Sequence, residues 1–423
     1  MFAARLAPIL ARRGIHYGWV MVAVTFLAML STAATMGSPG VFIEPLRAEF
    51  GWDTSSITAP LSLRFALYGL IAPFAAVPLM RYGIRAIVGS AAALIAIGLL
   101  ASTQMTSLWQ LWASWGLLLG LAAGMTATVL GSFVATRWFT TRRGLVVGLL
   151  TAANATGQLV MLPIAAWVAA TYGWRMAFAP LLILLAISAT LMLLFGANHP
   201  SDLGLAPLGE SAIVPAPRPP AKAIQASFAA LAEGIRSPVF WILAATFFVC
   251  GLSTLGLVMT HLIPLCQDYG VPSIQAAAIL AIIGGFDFIG TIASGWLSDR
   301  YDNRWLLFWY YGLRGISLMA LPYSGFSFPA LTVFAVFYGL DWVATVPPTV
   351  RLAATSFGRD KAPMMFGWIF ASHQIGSAIA ATAAGLSRDA LASYLPAFFA
   401  AGVACILASA LVIMRPRRTP QVA

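Results

Sequence analysis

Apolar residues along this chain do not alternate with polar ones. They run in blocks of about twenty, separated by short turns that hold almost all of the charge. A helix of that length crosses roughly 30 Å of hydrocarbon, so each block predicts one transmembrane helix. In the first half, spans are expected at about 17–39, 57–80, 84–104, 108–131, 143–169 and 174–196. In the second half they fall at about 238–260, 273–298, 304–323, 327–350, 364–386 and 393–414. Asn198 to Arg236 is too polar to cross, and its cluster of Pro215, Pro217, Pro219 and Pro220 favours an extended linker. Within it, Ala223 to Ile235 reads as a short amphipathic helix on the membrane surface. The expected organisation is an all-α integral membrane protein of twelve helices. A six-helix bundle spans 1–197, a Pro-rich linker 198–236 and a second six-helix bundle 237–423. The absence of period-2 alternation argues against a membrane β-barrel.

Composition agrees. Of 423 residues 60% are hydrophobic and 9% charged, and the mean hydropathy is +0.87. Soluble domains carry about a quarter charged residues. The net charge of +11 raises the question of nucleic acid, but the basic residues sit in short inter-helix turns rather than along a phosphate-tracking face. With both termini placed in the cytoplasm, only Arg47, Arg175 and Arg388 fall in outside loops, and Arg64 and Arg314 within spans. Every other Lys and Arg then lies inside, as the positive-inside rule requires. The N-terminus runs through Arg12 and Arg13 into a full-length span, so no cleavable signal is expected. Cys250, Cys266 and Cys405 have neither metal-site nor disulfide-framework spacing. No G-x-x-x-x-G-K-[ST] loop is present, so an ion gradient rather than ATP is the expected energy source, and no cofactor is expected.

The two halves echo each other. Gly120 and Gly339 are 219 residues apart, as are Asn154-Ala155-Thr156-Gly157 and His373-Gln374-Ile375-Gly376. Thr25-Phe26 and Thr246-Phe247 pair at an offset of 221. After the second span of the second half stands Gly295-Trp296-Leu297-Ser298-Asp299-Arg300-Tyr301-Asp302-Asn303-Arg304. A weaker copy at Ala76 to Arg85 has Arg81 where Arg300 stands and Arg85 where Arg304 stands.

That turn, G-x-x-x-D-R-x-x-x-R, resembles the cytoplasmic signature of the major facilitator superfamily. The resemblance implies two pseudo-symmetric bundles that alternate access to a site near the bilayer midplane. In relatives the acid and bases of the turn lock the cytoplasmic side. Asp299, Arg300 and Arg304 match that pattern and Arg81 and Arg85 echo it, with Met80 in place of the acid, so the stronger lock is expected in the second half. His16-Tyr17-Gly18-Trp19-Val20 and Arg137-Trp138-Phe139-Thr140-Thr141-Arg142-Arg143, continuing to Gly148, look like signatures of the monocarboxylate-porter and oxalate/formate-antiporter branch. Pro200 to Leu205 and His261-Leu262-Ile263-Pro264 also resemble its bacterial members. Animal members of that branch use a Lys in helix 1 and an Asp-x-x-x-Arg pair in helix 8. Here Asp287 is present, but Thr291 replaces the Arg, and the helix 1 position near Gly37-Ser38 has no Lys.

A charge within a span costs about 2.5–3.5 kcal/mol on insertion scales, so each one is a functional candidate. Asp287, near mid-depth in the eighth span, suits a proton carrier; the alternative is an aspartate bonded to a neighbouring helix for packing. Arg64 is the only basic residue in the first bundle's spans and is placed a turn or two below the outer surface. It is a natural bidentate partner for a substrate carboxylate, or else snorkels outward. Tyr68, one turn on, adds an aromatic wall. Asn154 and His373, counterparts in the fifth and eleventh spans, are further substrate contacts, with packing as the alternative for His373; His261 lies near the outer gate. Arg314 and Asp341 are expected to form an intrabundle ion pair. Trp52, Trp115, Trp174 and Trp241 read as interfacial anchors, Trp368 and Phe370 as chiefly lipid-facing. Pro347-Pro348 should kink the tenth span.

These residues point to a monomeric secondary transporter of a bacterial inner membrane, not an enzyme. It is expected to move a small organic anion, monocarboxylate-like by resemblance, with protons or another coupling ion. The alternative within the class is a carrier or exporter of a bulkier neutral or aromatic solute. A transport-dead sensor would carry an added cytoplasmic domain, and a membrane enzyme a metal or nucleophile cluster.

Overall fold

A computed structural model describes residues 2–126, 128–213, 215, 223–358 and 361–414; most side chains between 151 and 160 lie outside the description. Nine helices among the described residues are long and apolar enough to cross a membrane: Gly18–Phe50, Thr54–Phe74, Ile84–Thr103, Leu108–Thr126, Trp174–Phe195, Pro238–Asp268, Ser273–Ser298, Phe328–Phe357 and Leu395–Ile413. Arg143–Tyr172, Asn303–Ala320 and Ala362–Leu391 take the fifth, ninth and eleventh places between them. With the spans numbered in that order, 1–6 form one bundle and 7–12 the other.

Two boundaries differ most from the sequence reading. Span 1 continues past Gly37 to Phe50, and span 7 continues past Thr260 to Asp268. Pro39 causes no break because it opens the second helical piece, where the missing N–H has no partner to lose. The two extensions pack on each other. A Cβ on Gly40 would stand 3.0 Å from Thr260 O, so a side chain there would push these backbones apart by a few tenths of an ångström.

The internal repeat is visible as packing. Gly120 seats span 4 on span 2, where a Cβ would lie 3.0 Å from Arg64 Cα; Gly339 seats span 10 on span 8 against the Ile283 carbonyl. Gly157 and Gly376 do the same for spans 5 and 11 against the carbonyls of Leu30 and Phe248. Gly116 and Gly124 extend the seam of span 4 along span 2.

The branch-like motifs meet on the side where the described chain begins and ends, called the terminus side below. The Trp19 ring meets Phe139 edge-on at 5.3 Å, and Tyr17 O–H donates to Phe195 O at 2.6 Å. His16 Nε2 lies 2.9 Å from Ala206 O, and Leu208 N–H donates to Trp138 O at 2.8 Å, so this part of the linker is stitched to the first bundle. Pro217, Pro219 and Pro220 fall outside the described residues. The expected surface helix exists as Ala223–Gly234, but it does not simply lie on a membrane. Phe228 packs on Phe74 of the first bundle and Trp368 of the second, and Trp368 Nε1 donates to Ser227 O at 2.9 Å.

The bundles also meet along spans 5 and 8 and along spans 2 and 11. Ser62 Oγ lies 2.6 Å from Thr382 Oγ1 and also bonds Ala378 O. Phe74 meets Trp368 edge-on at the terminus side, and Asp389 receives Thr54 N–H and Ser55 N–H at the far side. Trp368 and Phe370 therefore face this seam rather than lipid. Trp115 and Trp174 are buried too, their ring N–H groups donating to Ser102 Oγ and Glu49, whereas Trp241 is exposed as an anchor would be.

Candidate functional site

Span 2 begins at Thr54, so Arg64 lies ten residues in, about 15 Å along the helix axis and near mid-depth, deeper than the sequence placement. It is only 1% exposed. Its Nη2 donates to Met36 O at 3.2 Å, its guanidinium stands 5.1 Å from the Phe65 ring centre, and its Nε has no partner. Among the described residues no carboxylate lies within ion-pair distance of it. A buried cation in hydrocarbon with one carbonyl for company is an unbalanced charge.

One turn toward the terminus side, Tyr68 lines a cavity of about 10 Å³, room for about one water, with Met29, Thr32, Ala33 and Met36 of span 1 and Ala123 and Thr126 of span 4. Thr126 Oγ1 and Thr32 Oγ1 are 3.4 Å apart, so the cavity pairs two hydroxyls with apolar walls. The Tyr68 ring also reaches the other bundle, meeting Phe370 edge-on at 5.4 Å. Phe370 stacks parallel on His373 at 5.7 Å, and His373 abuts Phe247 at 4.8 Å. His373 thus stands behind Phe370, its Nδ1 3.3 Å from Gln374 Nε2, rather than in the cavity wall. Asn154 is helical, but its side chain lies outside the described residues. His261 is fully buried in the second bundle, with Nε2 2.8 Å from Ala381 O and its ring against Tyr394, which is a packing role.

Sequence reasoning missed Thr32, Met36, Thr126 and Gln374. Gln374 is fully buried against Gly69 with its Oε1 unpartnered. Its signal was an amide in an apolar run; the two threonines carried none, since Thr is common in spans and only the fold brings these two together.

In the second bundle Asp287 is 2% exposed, and its Oδ1 accepts from Thr291 Oγ1 at 2.9 Å and from the Val343 main-chain N–H at 3.0 Å. The cation absent from position 291 is replaced by a hydroxyl. Arg314 Nε donates to Asp341 Oδ2 at 2.6 Å, a buried ion pair. In the signature turns, Asp299 pairs with Arg351, Arg304 Nη2 donates to Val412 O at 2.7 Å and Arg85 Nη2 to Leu193 O at 2.6 Å. Arg300 lies over Trp296 and Arg81 over Tyr82. Each of these contacts stays within its own bundle. Among the described residues no group of three or more His, Cys, Asp or Glu is arranged to hold a metal ion.

The Major Facilitator Superfamily profile matches residues 23–381 and, in a second match, 267–423. The chain is 26% identical over 389 residues to the uncharacterized MFS-type transporter YcxA of Bacillus subtilis (strain 168), covering 89% of this chain and 90% of that protein. It is also 26% identical to monocarboxylate transporter 13 of Rattus norvegicus, over 95% of this chain and 89% of that protein. Among solved structures, a partially occluded inward-open conformation of the xylose transporter XylE from E. coli superposes with a TM-score of 0.69 at 16% identity, covering 93% of this chain and 96% of that one.

Proposed function

We propose that this chain, which belongs to the major facilitator superfamily and is a multi-pass membrane transporter rather than an enzyme, moves a small monocarboxylate together with protons. The observation that carries the reading is Arg64. It is buried near mid-depth beside a small cavity, with one carbonyl as its only described hydrogen-bond partner. A bound carboxylate would supply the missing charge through the fork geometry that guanidinium favours. The hydroxyls of Thr32 and Thr126 and the ring of Tyr68 would hold the rest of a small acid. Monocarboxylate transporters among the relatives support the same substrate class.

Protons would be carried on Asp287, among the described residues the buried carboxylate without an ion-pair partner. Asp341, by contrast, is committed to Arg314. The basic turns support a reading with both termini in the cytoplasm, and the proposed location is a bacterial inner membrane. Asp299, Arg300, Arg304, Arg81 and Arg85 would then form the cytoplasmic gate. A bulkier aromatic solute is the second reading, favoured by the ring series Tyr68, Phe370, His373 and Phe247. The unpaired cation of Arg64 weighs against it.

The test is uptake into proteoliposomes of radiolabelled acids, from formate and lactate to aromatic acids, with and without an inward proton gradient. Gradient-stimulated uptake of a small acid, lost in Arg64→Gln and Asp287→Asn, is the expected result. A folded protein that moves no acid overturns it.

A further inference from the structure

Span 10 is not one continuous helix. Its α-helical hydrogen bonding is interrupted over residues 342–345, between pieces Phe328–Asp341 and Val346–Phe357. The cause is local. Pro347 and Pro348 have no N–H to offer the carbonyls of Val343 and Ala344, so the turn tightens and Val346 N–H bonds Val343 O at 2.9 Å instead. Main-chain groups are left over in a dry interior, and three side chains from spans 8 and 9 take them. Arg314 Nη2 donates to Asp341 O at 2.5 Å and to Trp342 O at 3.1 Å. Ser294 Oγ donates to Ala344 O at 2.5 Å, the carbonyl that Pro348 leaves unpaired. The N–H of Val343 is held by Asp287.

The geometry points to Asp287 as the link between proton binding and movement of span 10, with Arg314 and Ser294 as the positioning residues that hold the break against it. An ionised Asp287 makes a charge-assisted bond to Val343 N–H; a proton on the carboxyl removes the charge that strengthens this bond. The one N–H contact that span 8 makes with the break is then weakened, while Arg314 and Ser294 still hold its carbonyls. The terminus-side half of span 10, which carries Arg351 to its pairing with Asp299, becomes free to tilt. This inference rests on the reading of Asp287 as the proton carrier.

Other groups surround the site. Span 9 presents Arg314 and Tyr310, and span 10 Asp341 and, at its terminus-side end, Arg351. Span 7 packs its His261, Cys266 and Asp268 near the far-side end of span 8, and the described side chains of span 5 hold one titratable group, Tyr172, at that same end. Asp299 and Arg300 close the terminus-side end of span 8 itself. Asp287 is the one among them bonded to the Val343 amide.

Hydrogen exchange of the peptide spanning 338–350, followed by mass spectrometry of the full chain in nanodiscs, tests this without a substrate. After correction for intrinsic exchange, the wild-type segment is expected to open about tenfold more readily as pH falls, the weight of a single charge-assisted bond. In Asp287→Asn its opening is expected to be fast and independent of pH. Ser294→Ala, which keeps the carboxylate, is expected to speed exchange of the same segment and serves if Asp287→Asn fails to fold. Opening that does not vary with pH in the wild type overturns the inference, as does an unchanged pH response in Asp287→Asn. Gradient-driven lactate uptake, measured in parallel, separates the two failures. If Asp287→Asn stays gradient-driven, the carrier assignment falls; if it loses the gradient effect while exchange ignores pH, the link to span 10 alone falls.

Discussion

Asp389 Oδ2 accepts the main-chain N–H of Ser55 at 2.8 Å, a bond that crosses from the second bundle to the first. Its Oδ1 takes the Thr54 N–H at 3.1 Å, so one carboxylate caps the opening turn of span 2 from the other half of the molecule. A carboxylate there satisfies free N–H groups and meets the positive end of the helix, together worth about 0.5–2 kcal/mol. Rocking the bundles apart on the far side breaks both bonds.

Asp389→Ala is therefore expected to shift the population toward the form open on the far side. A cysteine pair at Ser62 and Thr382, whose hydroxyls stand 2.6 Å apart across the same seam, reads this out. Crosslinking should fall several-fold in Asp389→Ala, and unchanged crosslinking would remove the latch role.

Arg64 is expected to tolerate no neutral substitution for transport. Arg64→Gln keeps polarity but loses the charge and the fork, and uptake of a transported acid should drop more than about tenfold, the scale of one charge-assisted bond. Because the wild-type charge is unbalanced when the site is empty, the folded protein should melt no lower in Arg64→Gln than in the parent. A large fall in melting temperature would make Arg64 a structural residue.

The Arg314–Asp341 pair predicts the opposite pattern. Arg314→Met leaves Asp341 as an uncompensated buried charge and frees the carbonyls of Asp341 and Trp342, at a cost of about 3–5 kcal/mol. The yield of monodisperse protein should collapse, and Asp341→Leu added to it should restore part of that loss. A double variant no better than the single would show that the backbone bonds, not the charge, dominate.

Gly339→Ala should cost about 1–3 kcal/mol, since the new Cβ meets the Ile283 carbonyl, and Gly120→Ala should cost less, with its nearest neighbour 3.0 Å away. Gly285→Ala, which points into open space, serves as the control. Melting temperatures in detergent rank the three.

Much of the architecture is legible in the chain because hydropathy and helix length are local properties. Blocks of about twenty apolar residues have few alternatives in a bilayer, where every main-chain group needs an internal partner. The repeat at 219 residues also marked glycines that the fold uses as equivalent helix contacts. The Pro347-Pro348 kink was readable for the same reason: a missing N–H is a fact of covalent structure.

What the tertiary structure alone decided is which groups meet. Nothing in the chain says that Thr32 faces Thr126, that Phe370 stands between Tyr68 and His373, or that the carbonyl Pro348 leaves unpaired is taken by Ser294. Nor does it say that Asp287 turns to a main-chain N–H on span 10 while Arg314 turns to Asp341. Those choices depend on how helices rotate about their own axes, and uniformly apolar spans with small polar faces leave that rotation to packing against neighbours.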